Sequence, residues 1–154
     1  MPVFNQIIPQ GQGVLGPLTL QQLGPVFDAE ISVPSALQEM LIANGKPVPP
    51  PEKGRALIDT GATFSAVENS VMTRLGVPPV GIMRLGTADG QHMANQYPAK
   101  FTLLLGGGSF SFESTRASGV NMAGQPYIAL IGRDLLASVV MIYNGGLGIV
   151  TLGL

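Results

Sequence analysis

The sequence contains no cysteine and no tryptophan, and it has a single histidine. Without cysteine the chain has no disulfide, no thiol nucleophile and no thiolate metal ligand, which is compatible with a reducing compartment. One histidine without cysteine also argues against a zinc site, because zinc sites draw several ligands from His, Cys and carboxylates. We therefore predict neither a metal nor a cofactor.

Charged residues are also scarce. They form 11% of the chain, and the 8 basic and 9 acidic side chains are scattered singly, with a net charge of −1. No polybasic face is available for nucleic acid or anionic lipid. No apolar run approaches the ~20 residues of a membrane helix, and no basic-then-apolar leader opens the sequence. We expect a cytoplasmic protein that binds neither nucleic acid nor a membrane.

Apolar residues, glycine and proline are abundant instead. The chain has 154 residues, of which 45% are hydrophobic, with 21 Gly and 13 Pro. This length suits one domain with a sizeable core. Many turn residues without a long helical period predict a mainly β fold with short helices. The apolar excess suggests a subunit interface.

One stretch combines a buried strand with a charge. Three apolar residues at 56–58 run into Asp59, and Thr60 and Gly61 then form a tight corner. A short apolar run of this kind is typical of a buried strand. An unpaired carboxylate is costly to bury, so Asp59 either has a partner or uses its perturbed proton affinity. The simpler interpretation is an Asp that only starts a turn.

Residues 57–62, with the letters LIDTGA, resemble the active-site triplet of aspartic proteases, and residues 130–136, LIGRDLL, resemble a segment near the carboxyl end of retropepsins. The resemblance implies a retropepsin-like closed β-barrel with short helices. It covers roughly residues 25–154, with a helix and a Pro-rich insertion at 34–54. Residues 1–24 would be an N-terminal extension that can supply a dimer-interface strand.

The resemblance also implies an aspartic endopeptidase acting on a peptide or protein substrate. Asp59 would be its catalytic residue. Hydrolysis by carboxylates needs two of them, one to take a proton from water and one to hydrogen-bond the carbonyl oxygen. Pepsin-like enzymes carry two such triplets in one chain, whereas this sequence has one. We therefore expect a two-fold homodimer that pairs Asp59 with its symmetry mate.

Three neighbours of Asp59 would support the catalytic loop by resemblance. Thr60 would hydrogen-bond across the dimer, and the carbonyl of Gly61 would accept a substrate amide hydrogen. Ala62 would pack near the corner. A short hydroxyl and a residue without a side chain suit these tasks, because rigid support fixes the geometry of proton transfer.

A hairpin is predicted where Asp89-Gly90 separates two extended runs, 82–87 and 91–97. A retropepsin carries its flap at this place. The resemblance makes Ala88, Asp89 and Gly90 the flap tip, which would close over an extended peptide. His92, just past the turn, is interpreted as a solvated side chain.

The segment Gly132-Arg133-Asp134 would support the loop and the dimer. Retropepsins often carry a carboxylate four residues after the catalytic Asp, paired with this arginine, but here that position is Thr63. The alternatives for the partner of Arg133 are Asp28, Glu68 or a backbone carbonyl. Asp134 is predicted to cap a helix running to about Val140.

Other motifs carry less chemistry. The G-x-G-x-x-G match at 11–16 is interpreted as a flexible glycine loop, because no strand feeds it. Ser65 could serve a Ser-His-Asp triad, but no G-x-S-x-G elbow positions it.

The apolar carboxyl end, with the segment from Val3 to Ile8, would form dimer interface. The alternative function is a retropepsin-fold module that binds peptides or assembles proteins without cutting.

Overall fold

The computed structural model describes residues 3–7, 16–87 and 90–153, and all statements below concern these residues. The strands are β1 (Val3–Ile7), β2 (Val26–Ser32), β3 (Glu52–Ile58), β4 (Ala66–Glu68), β5 (Gly81–Thr87), β6 (Gly90–Leu105), β7 (Gly108–Val120), β8 (Ala129–Ile131), β9 (Val140–Asn144) and β10 (Ile149–Gly153). The helices are α1 (Gly16–Leu23), α2 (Ser35–Ala43), α3 (Asn69–Arg74) and α4 (Arg133–Leu136). None of these helices is long and apolar enough to span a bilayer.

The larger sheet closes into a barrel. Its strand order is β2-β3-β8-β4-β7-β6-β5, and β2 also pairs with β6. Closure therefore joins six strands and leaves β5 as an edge strand beyond β6. The pairs β3–β8 and β4–β7 are parallel, while the others are antiparallel. The predicted mainly β fold with a closed barrel is confirmed.

Alternating side chains fill the barrel. On β2, Phe27, Ala29 and Ile31 are buried while Asp28 is exposed, as expected for a strand with one face on a core. Phe101 and the other inward residues of β6 meet them from the paired strand. Strands β3 and β8 pair with each other and contribute to the same core, and these two strands lead into the candidate site.

A smaller sheet carries the chain ends. It has the order β1-β10-β9, all antiparallel, so that β1 pairs with β10 of the same chain. Val150 and Leu152 of β10 are buried in the same cluster as Leu20 of α1. Val140 and Ile142 of β9 are each 57% exposed.

Several predicted boundaries are wrong. The run predicted at 91–97 does not end there, because β6 continues through Pro98 to Leu105, with an irregularity between Tyr97 and Ala99. The helix expected to run from Asp134 to about Val140 ends at Leu136, and β9 begins at Val140. Strand β3 begins at Glu52, inside the Pro-rich segment expected at 34–54, because it pairs there with Ile31. Helix α1 was not predicted.

Candidate active site

Asp59 lies at the carboxyl end of β3, beside the carboxyl end of β8. Ala56 to Ile58 run parallel to Ala129 to Ile131, and the N–H of Asp59 donates to the carbonyl of Ile131 at 2.9 Å. Ala56 and Ile58 are fully or nearly buried, whereas Asp59 is only half-buried. Two neighbouring parallel strands thus bring both sequence motifs to one edge of the barrel.

The turn after Asp59 holds one oxygen of its carboxylate. Asp59 Oδ1 accepts hydrogen bonds from the N–H of Gly61 at 2.9 Å and of Ala62 at 3.2 Å. A Cβ on Gly61 would lie 3.1 Å from that oxygen, which is tight, so glycine allows the close approach. Asp59 Oδ2 makes no hydrogen bond to any residue in the described part of the chain. One oxygen is therefore fixed, and the other remains available for a ligand.

A second carboxylate braces the loop from behind. Asp134 Oδ1 accepts from both the N–H and the Oγ of Ser65, each at 2.8 Å. Ser65 Oγ in turn accepts from the N–H of Gly132 at 2.9 Å, and Ser65 is fully buried. The prediction that Asp134 caps a helix is wrong. Gly132 is the N-cap of α4 and has no side-chain cap bond, while Asp134 lies inside the helix.

Sequence reasoning missed the structural role of Ser65 and considered it only as a nucleophile. Its hydroxyl is consumed by the contacts with Asp134 and Gly132 and faces the interior. A polar residue in an otherwise apolar run, Ser65 before Ala66-Val67, is the one available signal. A buried hydroxyl requires a partner, and Asp134 provides it.

The turn at Gly132 packs directly against the Asp59 loop. A Cβ on Gly132 would lie 2.6 Å from the carbonyl carbon of Phe64 and 2.9 Å from the nitrogen of Ser65. The N–H of Arg133 donates to Ala62 O at 3.0 Å, and the N–H of Asp134 donates to the carbonyl of Thr63. The two motifs form one backbone-bonded unit.

Arg133 has two partners. One is a backbone carbonyl, which was one of the three predicted alternatives, and the other is a hydroxyl, which was not predicted. Arg133 Nη1 donates to the carbonyl of Thr60 at 3.2 Å, and Nη2 donates to Thr63 Oγ1 at 3.0 Å. Neither Asp28 nor Glu68 takes part. Thr63 thus occupies the place of the expected carboxylate and still contacts the arginine, but without a charge.

Asp59 opens onto a cleft of about 460 Å³ between its loop and β5. Gly61, Ala62 and Thr63 line the cleft on the loop side. Its apolar lining comes from Phe64, Ala66, Met83, Leu85, Val120 and Leu130. Asp59 is the one carboxylate among the described residues that line it.

The predicted hairpin over the cleft is confirmed by its pairing. Residues of β5 and β6 pair in register from Gly81↔Gln96 to Thr87↔Gly90. Gly90 has φ of 123°, a conformation that favours glycine. Ala88 and Asp89, the predicted flap tip, lie outside the described residues. His92 is exposed and does not line the cleft.

Within the described ranges, no three His, Asp or Glu side chains are grouped as a metal site would require.

Thr60 is exposed, and its carbonyl accepts a hydrogen bond from Arg133. The structure thus brings Asp59, Gly61, Ala62 and the segment at 132–134 together, while the role assigned to the Thr60 hydroxyl stays a prediction.

Comparison with solved structures finds two proteases that are similar to this chain. A crystal structure of a retropepsin-like aspartic protease from Rickettsia conorii matches with a TM-score of 0.50 and 18% identity, over 98% of this chain and 91% of that one. The solution structure of simian foamy virus (mac) protease matches with a TM-score of 0.40 and 19% identity, over 73% of this chain and 91% of that one.

The match to the Rickettsia conorii structure shows similarity of fold. No curated protein sequence matches the chain. The family described as aspartyl protease matches residues 40–135, which include Asp59, the hairpin and the segment at 132–134. The match spans more than half of the sequence. The chain belongs to the aspartyl protease family and has a retropepsin-like fold.

Proposed function

We propose that the protein is an aspartic endopeptidase, active as a homodimer, in which Asp59 and the Asp59 of a second copy activate a water molecule. The observation that carries the proposal is the state of the Asp59 carboxylate. Two backbone N–H groups hold Oδ1, while Oδ2 has no partner among the described residues and the side chain lines the cleft. A fixed carboxylate with one free oxygen suits proton transfer.

Peptide hydrolysis assigns different roles to the two carboxyl groups. The ionised one takes a proton from water, whose oxygen attacks the carbonyl carbon, and the protonated one gives its proton to the carbonyl oxygen. The tetrahedral intermediate then collapses and the C–N bond breaks. The leaving nitrogen takes the proton that the first carboxyl group removed from water, and a hydroxyl of the intermediate returns its proton to the second carboxylate. Two carboxylates in contact cannot both ionise, as is general in aspartic proteases, and this keeps one of them protonated.

The second carboxyl group must come from outside this chain's cleft. Asp59 is the only acidic residue in the described lining, and the sequence has no second Asp-Thr-Gly or Asp-Ser-Gly. An isologous dimer supplies an identical Asp59 by symmetry. Thr60, exposed at the corner, would then hydrogen-bond across the two-fold axis.

The smaller sheet supports association of two copies. Val3 and Val140 both pair with Gly153, so their side chains share one face of that sheet, and Ile142 follows two residues along on the same face. All three are more than half exposed. A contiguous apolar face of this kind is typical of an interaction surface.

An extended peptide fits the remaining features of the cleft. Strand β5 is an edge strand that lines the cleft, so its free backbone groups can pair with a substrate strand. In this proposal the β5–β6 hairpin acts as the flap, with Ala88, Asp89 and Gly90 at its tip. The apolar lining then contacts side chains on both sides of the scissile bond.

The test compares the wild type with Asp59→Asn. A peptide library is incubated with each protein, products are read by mass spectrometry, and the mass in solution is measured. We expect cleavage and a dimer for the wild type, and a dimer without cleavage for Asp59→Asn. Peptide binding by the wild type without cleavage would favour the alternative, a module that binds peptides. Cleavage by Asp59→Asn would refute the proposal.

A further inference from the structure

Arg133 contacts the cleft-lining residue Thr63 through its guanidinium and pairs with no carboxylate in the described part of the chain. Its two acceptors, the carbonyl of Thr60 and the hydroxyl of Thr63, are both uncharged. The ion pairs found among the described residues, Lys53–Glu30 and Arg74–Glu52, do not involve it. The side chain is exposed, so its positive charge faces solvent beside the candidate site.

The two carboxylates of the site, Asp59 and Asp134, form no ion pair with Arg133. Asp134 Oδ1 receives both hydrogen bonds of Ser65, and Asp59 Oδ1 receives the N–H groups of the turn that follows it. A guanidinium has five N–H donors, and two of those of Arg133 have an acceptor here. Donors therefore remain for a ligand.

The position of this charge relates it to a bound peptide. Thr63, which touches Arg133 at 3.0 Å, lines the cleft, and so does the next residue, Phe64. Phe64 is 47% exposed. An acidic side chain in this place could lay its methylene groups against Phe64 and direct its carboxylate to Arg133.

We propose that Arg133 is a specificity-determining residue that selects peptides with a glutamate or aspartate near, but not at, the scissile bond. The inference rests on the proposed peptidase function and deepens it by naming the substrate class. Thr63 is the cause, because an acidic residue there would neutralise the guanidinium within the chain. With threonine, the missing carboxylate is left for the substrate to supply.

The size of the preference follows from one charge-assisted hydrogen bond at an exposed group. We expect Glu to be favoured over Gln by about tenfold in kcat/KM at low salt. Screening should reduce the preference as ionic strength rises toward ~1 M. Peptide pairs that differ only by Glu or Gln, scanned over the positions on each side of the cleaved bond, locate the subsite.

The decisive variants change Thr63, because replacing Arg133 would also remove its bond to the Thr60 carbonyl. Thr63→Asp places a carboxylate against the guanidinium, while Thr63→Asn has nearly the same shape and no charge. The ratio of Glu to Gln cleavage cancels any general effect of the added charge on turnover. We expect Thr63→Asp to lose the preference and Thr63→Asn to keep it.

Binding to Asp59→Asn, measured with the same peptides, separates this inference from the proposed function. Glu-selective binding without wild-type cleavage would keep the subsite and reject the peptidase. Equal cleavage and equal binding of Glu and Gln peptides would overturn the inference. That result is expected if a carboxylate of the second copy pairs with Arg133. A preference that survives Thr63→Asp would also overturn it, since another cation would then be responsible.

Discussion

Replacement of Ser65 by alanine tests the brace behind the candidate catalytic loop. Ser65 is fully buried, and its Oγ both donates to Asp134 Oδ1 at 2.8 Å and accepts from the N–H of Gly132 at 2.9 Å. A hydrogen bond to a charged group contributes about 1.5–3 kcal/mol, and a buried donor left without a partner costs about 1–3 kcal/mol. Because water can reach the exposed Asp134, we expect a total loss of about 2–3 kcal/mol in the free energy of unfolding.

The assay is urea unfolding, with all variants made in the Asp59→Asn background so that self-digestion does not interfere. Protein concentration is held constant, because dimerisation makes stability depend on it. Ser70→Ala is the matched control. Ser70 is exposed on α3, and its hydrogen bond to Glu68 uses the backbone N–H, which alanine retains.

We expect the urea midpoint of Ser65→Ala to fall with little change in slope, since the same surface is exposed on unfolding. Ser70→Ala should stay within about 0.5 kcal/mol of its parent. If Ser65→Ala also stayed within that range, the hydroxyl would not brace the loop, and the reasoning from buried hydrogen bonds would be refuted.

Two further substitutions test the backbone packing and the dimer face. Gly132→Ala should lower the free energy of unfolding by at least about 3 kcal/mol or prevent folding, because its Cβ would lie 2.6 Å from the backbone of Phe64. The control is Gly106→Ala, whose Cβ would meet open space and which should be tolerated in the same unfolding assay. Ile142→Asp should raise the dissociation constant of the dimer at least about tenfold, since a carboxylate would be buried between copies. The control is Ile42→Asp on α2, where the isoleucine is similarly exposed, and it should leave the dimer intact; both are measured by analytical ultracentrifugation. A Gly132→Ala variant as stable as its parent would contradict the first prediction. An unchanged dimer for Ile142→Asp would contradict the second.

Local signals identified the elements that carry the candidate site. The apolar run before Asp59 predicted β3, and Asp89-Gly90 predicted the β5–β6 hairpin, because each depends on residues adjacent in sequence. A helix was also predicted within residues 34–54, and α2 lies there, between Pro34 and Asn44-Gly45. Gly45 has φ of 65°, as a helix end with glycine requires.

Contacts between distant segments were not predictable in the same way. Asp134 resembles a helix cap when only its neighbours are considered. Its bond to Ser65 exists because antiparallel pairing of β4 with β8, with Ala66 opposite Leu130, brings the two segments together. The exposed face formed by Val3, Val140 and Ile142 depends on the register of three strands. Pairing of distant strands sets these contacts, and no local pattern encodes it.

Helix α1 could have been found. Pro17 lies in its first turn, leucines recur at 18, 20 and 23, and Gly24 follows with φ of 72°. These are the start and stop signals of a short helix. The glycines before it favoured a loop interpretation, and only the packing of Leu20 in the core shows why the helix forms there.

The central claim is that each site uses one Asp59 from each of two copies, and mixing wild type with Asp59→Asn tests it most directly. The two proteins are unfolded together, refolded at a fixed total concentration, and assayed for peptide cleavage at several ratios. Random pairing predicts activity that follows the square of the wild-type fraction, so that an equal mixture keeps about one quarter. Activity proportional to the wild-type fraction, about one half at equal amounts, would show that one chain acts alone and would contradict the account.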